Sequence, residues 1–223
     1  SGGAMQRIAG RLCKFGALVA FATACGGNQQ ASLSPSVSSL NSIIDQDSTV
    51  VIDQGTTISD KLKSELNAIG KMTGGCTAFH IGHGIVATAG HCLSITTANP
   101  SDSTCHNLNI AWGQTLGTQN SDHSRCMKIL QYQFDSQADY ALLQVDPVPA
   151  ASIEIQPDEH EMNFAEQVVV VGYPQGKPLS LSGKCDALRP TESATKIFHH
   201  LCDTLPGNSG SPVVNQAGEY VGI

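Results

Sequence analysis

Hydrophobic and polar positions change rhythm several times along the chain. From Met5, a stretch carrying Arg7, Arg11 and Lys14 runs into the ten-residue apolar segment 15–24, which ends at Cys25. Residues 26–57 are rich in Ser, Gln, Asn and Asp, and their isolated apolar residues keep no lasting period. Such a stretch reads as a flexible tether or propeptide. Ser59 then offers a helix cap, and Leu62, Leu66 and Ile69 recur at i, i+4 and i+7 before Gly70. This predicts one short amphipathic helix ending at Gly70. Beyond Gly74 come short β-rich runs broken by Gly, Pro, Asn and Asp, at 76–81, 85–89, 109–112, 140–145, 167–173, 196–201 and 220–223. Their spacing predicts an all-β sandwich or barrel.

The charged-then-apolar start has the layout of a secretory signal. Its apolar run is too short to span a bilayer, which takes roughly 20 residues of helix. Ala22-Thr23-Ala24 followed by Cys25 resembles the cleavage site of bacterial lipoproteins, with Ala22 where a leucine is typical. Residues 1–24 are therefore expected to be a short scar plus signal peptide, with Ser1 to Ala4 left out of the fold.

The chain has 223 residues, 12 bases and 19 acids, for a net charge of −7. All three leader cations are lost on export, which leaves nine bases against 19 acids, a net −10. Binding to nucleic acid through a basic face is excluded on this balance. Charged residues at 14% and 22 glycines also argue against a coiled coil or a disordered acidic tail. Of the eight cysteines, Cys13 lies in the leader. Cleavage before Cys25 leaves seven, an odd number in an oxidising compartment, and acylation of Cys25 accounts for the odd one. The alternative is a buried, unpaired thiol.

Three local patterns carry chemistry: Thr88-Ala-Gly-His-Cys92, Asp139-Tyr-Ala-Leu-Leu-Gln-Val145 and Pro206-Gly-Asn-Ser-Gly-Ser-Pro212. They bring a histidine, an aspartate and a serine in that order. A serine hydroxyl is protonated at neutral pH, so attack on a carbonyl needs an imidazole to take its proton. The imidazole in turn needs a carboxylate to fix its tautomer and stabilise its cation. The amides of Gly207 and Ser209 are candidates to converge on the developing oxyanion, at roughly 10²–10³ in rate per donor. A zinc set of Cys76, His80, His83 and Cys92 is a poor rival. On a strand His80 and His83 face opposite ways, and no HExxH helix accompanies them.

With these motifs, residues 74–223 resemble the trypsin/chymotrypsin-like serine peptidases, particularly the bacterial glutamyl-endopeptidase-like branch. The resemblance implies two six-stranded antiparallel β-barrels, with His91 and Asp139 from the first and Ser209 from the second meeting in the cleft between them. It also implies a Cys76–Cys92 disulfide, which closes a 17-residue segment and is worth roughly 3 kcal/mol on a loop-entropy estimate. Cys105 with Cys126 and Cys185 with Cys202 are suggested only by proximity, since six cysteines allow about fifteen pairings. The domain is expected over 58–223, with 25–57 as a lipoprotein-like tether or propeptide. The family continues past Val221-Gly-Ile223 into a strand and a helix, so truncation at the C-terminus is expected.

Specificity stays open between two readings. Asp203, six residues before Ser209, matches the position where trypsin-like enzymes bind basic side chains. The string from Cys202 to Pro212 looks more like the glutamyl branch, in which Thr204 donates to an acidic side chain. His199 or His200 would add positive character. Asn208 stands where digestive enzymes carry the aspartate that pairs with a new N-terminus, so activation is not expected to use that ion pair. The expected molecule is an exported serine endopeptidase acting on protein or peptide substrates. It needs no metal or organic cofactor, binds no nucleic acid, and touches a membrane only through a lipid on Cys25. The rival is a non-catalytic, peptidase-like binding protein of the cell envelope.

Overall fold

A computed structural model of the chain describes residues 43, 46–93, 105, 107–118, 122–155, 166–188 and 198–223. The expected signal, Cys25 and most of the expected tether or propeptide lie outside the described residues.

The first body is a closed antiparallel barrel of six strands. These are β2 (Ile69–Met72), β3 (Thr77–His80), β4 (Ile85–Thr88), β5 (Asn109–Trp112), β6 (His123–Phe134) and β7 (Asp139–Asp146), joined in the order β2-β3-β4-β7-β6-β5. Period-two alternation builds its interior: along β7, Ala141, Leu143 and Val145 are buried between more exposed neighbours. They pack with Val86, Ile110, Trp112 and Ile129. Trp112 donates its indole N–H to Ser124 at 2.8 Å, so the largest core side chain leaves no buried donor unpaired.

The second body is a seven-stranded sheet among the described residues, where a second closed barrel is expected. Its strands are β1 (Val50–Val51), β8 (Gln167–Gly172), β9 (Ser180–Leu181), β10 (Cys185–Leu188), β11 (His199–His200), β12 (Val213–Asn215) and β13 (Tyr220–Gly222). The path runs β1-β9-β8-β10-β11, with β12 joining β8 and β13 joining β12. A core of Ile69, Phe79, Val171, Tyr173, Leu179 and Val214 lies between the two bodies.

Two expectations change here. The helix α1 covers only Asp60–Glu65, capped by Ser59, whose hydroxyl accepts from the Leu62 amide at 3.2 Å. A 3-10 turn follows over Leu66–Ala68, and Ile69 and Gly70 enter β2. Gly70 ends no helix: a Cβ there would stand 2.3 Å from Ile110 and 2.7 Å from Trp112, so its bare Cα makes room for the barrel core. Barrel pairing of Ile69 with Phe79 overrides the helical period. The second change concerns 46–57, expected as the end of a flexible tether or propeptide. Val50 and Val51 pair with Leu181 and Ser180, and Ile52 is 2% exposed in the inter-body core. These residues form a strap folded onto the second sheet.

Candidate active site

His91 sits on a 3-10 turn (Gly90–Cys92) that follows β4, and Asp139 opens β7, the strand hydrogen-bonded to β4. The turn and the strand end are thus side by side. Asp139 Oδ1 accepts from the His91 amide at 2.9 Å, and Oδ2 meets the His91 ring Nδ1 at 2.6 Å. A carboxylate only accepts, so in the neutral imidazole the proton lies on Nδ1 and Nε2 keeps its lone pair. Gly90 permits the close approach: a Cβ there would lie 2.3 Å from the Gln133 carbonyl and 3.1 Å from Asp139 Oδ1. Phe134 leans on the ring with centroids 6.0 Å apart.

Ser209 arrives on the turn before β12. The Thr77 amide donates to the Ser209 carbonyl at 2.9 Å, and the Thr77 hydroxyl donates to the Gly207 carbonyl at 2.7 Å. Thr77 belongs to the barrel, so one fully buried residue braces the serine turn of the other body. Gly210 has φ +77°, and a Cβ there would stand 2.3 Å from the Thr88 hydroxyl. The Cys76–Cys92 disulfide lies within the first barrel on the near side of this junction, with Cys92 Sγ 3.8 Å from the Ser209 carbonyl. Cys105–Cys126 and Cys185–Cys202 are also linked.

His91, Asp139 and Ser209 line one cleft of about 510 Å³, together with His200, Thr204, Leu205 and Pro206. Among the described residues the serine hydroxyl makes no hydrogen bond to His91, a contact that often tightens only when substrate binds. Gly207, with φ +104°, lies between the lining residues Pro206 and Asn208 without itself being one of them. Among the described residues, the amides of Gly207 and Ser209 donate to no protein acceptor.

The structure places Asp203 away from this cleft. It is 4% exposed and absent from the cleft lining, and its Oδ2 accepts from Ser48, from the amide at 2.9 Å and the hydroxyl at 2.6 Å. Its neighbour Thr204 does line the cleft. Successive side chains in an extended segment point to opposite sides, so only one of the two can reach it. Of the paired histidines, His200 lines the cleft. Burial, and secondarily the charge of His199, lower its pKa from the ordinary 6.5. The amide of Cys202 donates to its Nδ1 at 3.3 Å.

The zinc set fails on chemistry. Cys76 and Cys92 are joined, and His80 is engaged at both nitrogens, with the Ala151 carbonyl at 2.6 Å and the Gly84 amide at 3.0 Å. Two other groupings, Cys76 with His91 and Cys92, and Cys185 with His200 and Cys202, also have their sulfurs committed to disulfides.

The sequence reading missed the strap and its bonds to Asp203, as well as Thr77, whose Thr-Ala-Phe-His strand carries no sign of a brace to a turn 130 residues away.

Among known proteins, the trypsin-like peptidase domain model matches residues 76–223. The serine protease Do-like HtrA of Bacillus subtilis (strain 168) is 31% identical over 100 residues, covering 40% of this chain and 22% of that protein. The chain thus corresponds to about a fifth of that relative's length. A Glu endopeptidase structure aligns with 81% of this chain and 85% of its own at TM-score 0.59 and 20% identity. The serine endoprotease from Yersinia pestis aligns with 77% and 58% at TM-score 0.56 and 16% identity. The fold is shared with both. With the family model matched from Cys76 to Ile223, through all three motifs, the chain belongs to the trypsin-like peptidase family.

Proposed function

We propose that this protein is an exported serine endopeptidase that cleaves peptide bonds through an acyl-enzyme on Ser209. The observation that carries the reading is the two-point hold of Asp139 on His91, in the cleft that Ser209 lines. With Nδ1–H committed to the carboxylate, His91 Nε2 is the base. It takes the Ser209 proton as Oγ bonds to the scissile carbonyl carbon, and the carbonyl oxygen becomes an oxyanion held by the Gly207 and Ser209 amides. The tetrahedral species collapses, the C–N bond breaks, and His91 returns the proton to the leaving amine. Water, deprotonated by His91, then releases the acid product and restores Ser209.

Three disulfides support an oxidising, extracytoplasmic compartment. Among the described residues no helix is long and apolar enough to cross a membrane. A lipid on Cys25 would supply the attachment to the cell envelope. In the cleft, Thr204 and His200 offer donors and the Asp203 carboxylate is engaged elsewhere, which supports an acidic side chain before the scissile bond over a basic one.

The test is labelling by a fluorophosphonate, with peptide hydrolysis measured in parallel. The wild type should label and turn over, and Ser209→Ala should do neither while keeping its fold. An unlabelled, inert wild type would establish the non-catalytic binding protein instead.

A further inference from the structure

A planar trans peptide points its C=O and N–H in opposite directions. The oxyanion amides are therefore aimed by whatever holds the carbonyl of the same peptide. For Ser209 that carbonyl belongs to Asn208, and it accepts from the Ser211 amide at 2.9 Å within the same turn. For Gly207 it belongs to Pro206, and its donor comes from elsewhere: the Gln175 amide, at 2.5 Å.

Gln175 holds this donor in an unusual conformation. Its φ of 52° and ψ of 28° are left-handed, and the following Gly176 has φ +70°. For a residue other than glycine this conformation is disfavoured, because Cβ crowds the following carbonyl oxygen. The Gln175 side chain is exposed, so no packing of its own accounts for the strain. The turn is fixed at both ends. Before it, Tyr173 donates its amide to Thr77 Oγ1 at 3.1 Å and its hydroxyl to the Ile69 carbonyl at 3.0 Å. After it, Lys71 Nζ donates to the Gly176 carbonyl at 2.7 Å. Thr77, Ile69 and Lys71 all belong to the first barrel, so the barrel that carries His91 and Asp139 also holds the turn that reaches the serine loop.

We propose that the Gln175–Gly176 turn is a positioning device for the oxyanion hole: the Gln175 amide holds the Pro206 carbonyl away from the substrate, so that the Gly207 amide of the same peptide faces the reacting carbonyl oxygen. The inference rests on the peptidase reading. Gln175 touches no substrate; only its backbone orientation matters. Residues that tolerate positive φ should therefore work at this position, and β-branched ones, which do not, should let the turn relax and the peptide rotate.

The test compares Gln175→Gly, Gln175→Asn and Gln175→Val in the full chain. It reads kcat and KM on a peptide substrate, inhibition by a peptide boronic acid that forms a tetrahedral adduct on Ser209, and the unfolding midpoint. The Gly and Asn variants should match or exceed the wild type. Val should lower kcat about tenfold, short of the roughly 10²–10³ for complete loss of a donor, with KM unchanged and boronate affinity reduced in step. Should Val fail to fold, Lys71→Met reads the same split more weakly, and Lys71→Arg should restore kcat. A folded Val variant with wild-type kcat, or one whose loss lies in KM, overturns the inference while the peptidase reading stands. A wild type inert to fluorophosphonate and substrate overturns both.

Discussion

Ser48 and Asp203, 155 residues apart, are joined twice: the Ser48 amide and hydroxyl both donate to Asp203 Oδ2, at 2.9 and 2.6 Å. The Ser182 carbonyl, 2.9 Å from the same hydroxyl, is the alternative acceptor for its single proton and sets the strap beside the segment after β9. The carboxylate that one of the two specificity readings puts in a substrate pocket thus anchors the N-terminal strap.

Removing the hydroxyl alone should weaken this anchor without abolishing it. Ser48→Ala should cost about 1.5 kcal/mol, the low end for a hydrogen bond to a charged group. For a chain of this size the unfolding midpoint should fall by about 3–6 °C. Thermal unfolding followed by circular dichroism checks this, and an unchanged midpoint would show that the strap holds without the Ser48 hydroxyl.

Side-chain preference should follow Thr204 and not Asp203. Asp203→Asn should leave the ratio of kcat/KM for Glu- and Lys-containing peptides unchanged in whatever fraction stays folded. Thr204→Val should lower kcat/KM for the acidic peptide about tenfold, as expected for one lost hydrogen bond to a charged group. Loss of Lys cleavage on Asp203→Asn would return that carboxylate to the pocket.

His200 adds a pH dependence to stability. Burial, chiefly, holds its folded pKa below the ordinary 6.5. The unfolded chain therefore binds more protons between the two values, and stability rises with pH across that window. Its contribution is complete above the ordinary value and is lost as pH falls through it toward the folded one. Urea unfolding of the wild type and His200→Gln at neutral and mildly acidic pH should show a smaller acid loss in the variant. Parallel curves would count against a buried, neutral His200.

Asp139→Asn should lower kcat by about four orders of magnitude, because an amide presents an N–H to the ring and stabilises the wrong tautomer. Stability should change little, since an amide oxygen still accepts from the His91 amide, now at 2.9 Å from Oδ1. Steady-state kinetics alongside thermal unfolding separates the two effects. A loss of only about tenfold would show that Asp139 does not set the tautomer of His91 for catalysis.

Legibility differed from element to element. β5 lies where a short β-rich run predicts it, and β3, β4, β7 and β8 differ from prediction by a residue or so at their ends. The twelve-residue β6 escaped detection because its register slips twice, between Cys126 and Lys128 and between Ile129 and Gln131. Each slip breaks the alternation that marks a strand. β1 and β9 have two residues each, too few for any period, and exist only because each pairs with the other and β9 with β8.

By itself the sequence determined the all-β class, the order of His91, Asp139 and Ser209, and the glycines that let their turns approach. These are local: a motif of a few residues sets turn geometry through φ, ψ and side-chain size alone. Only the tertiary structure decided that Ile69 is a strand, that the strap is folded, and that Asp203 faces Ser48 while Thr204 faces the cleft. It also decided which donor meets the Pro206 carbonyl. Each of these depends on which distant backbone presents a hydrogen-bonding partner to a buried polar group, and that partner is chosen by the packing of two bodies against one core, which no local window contains.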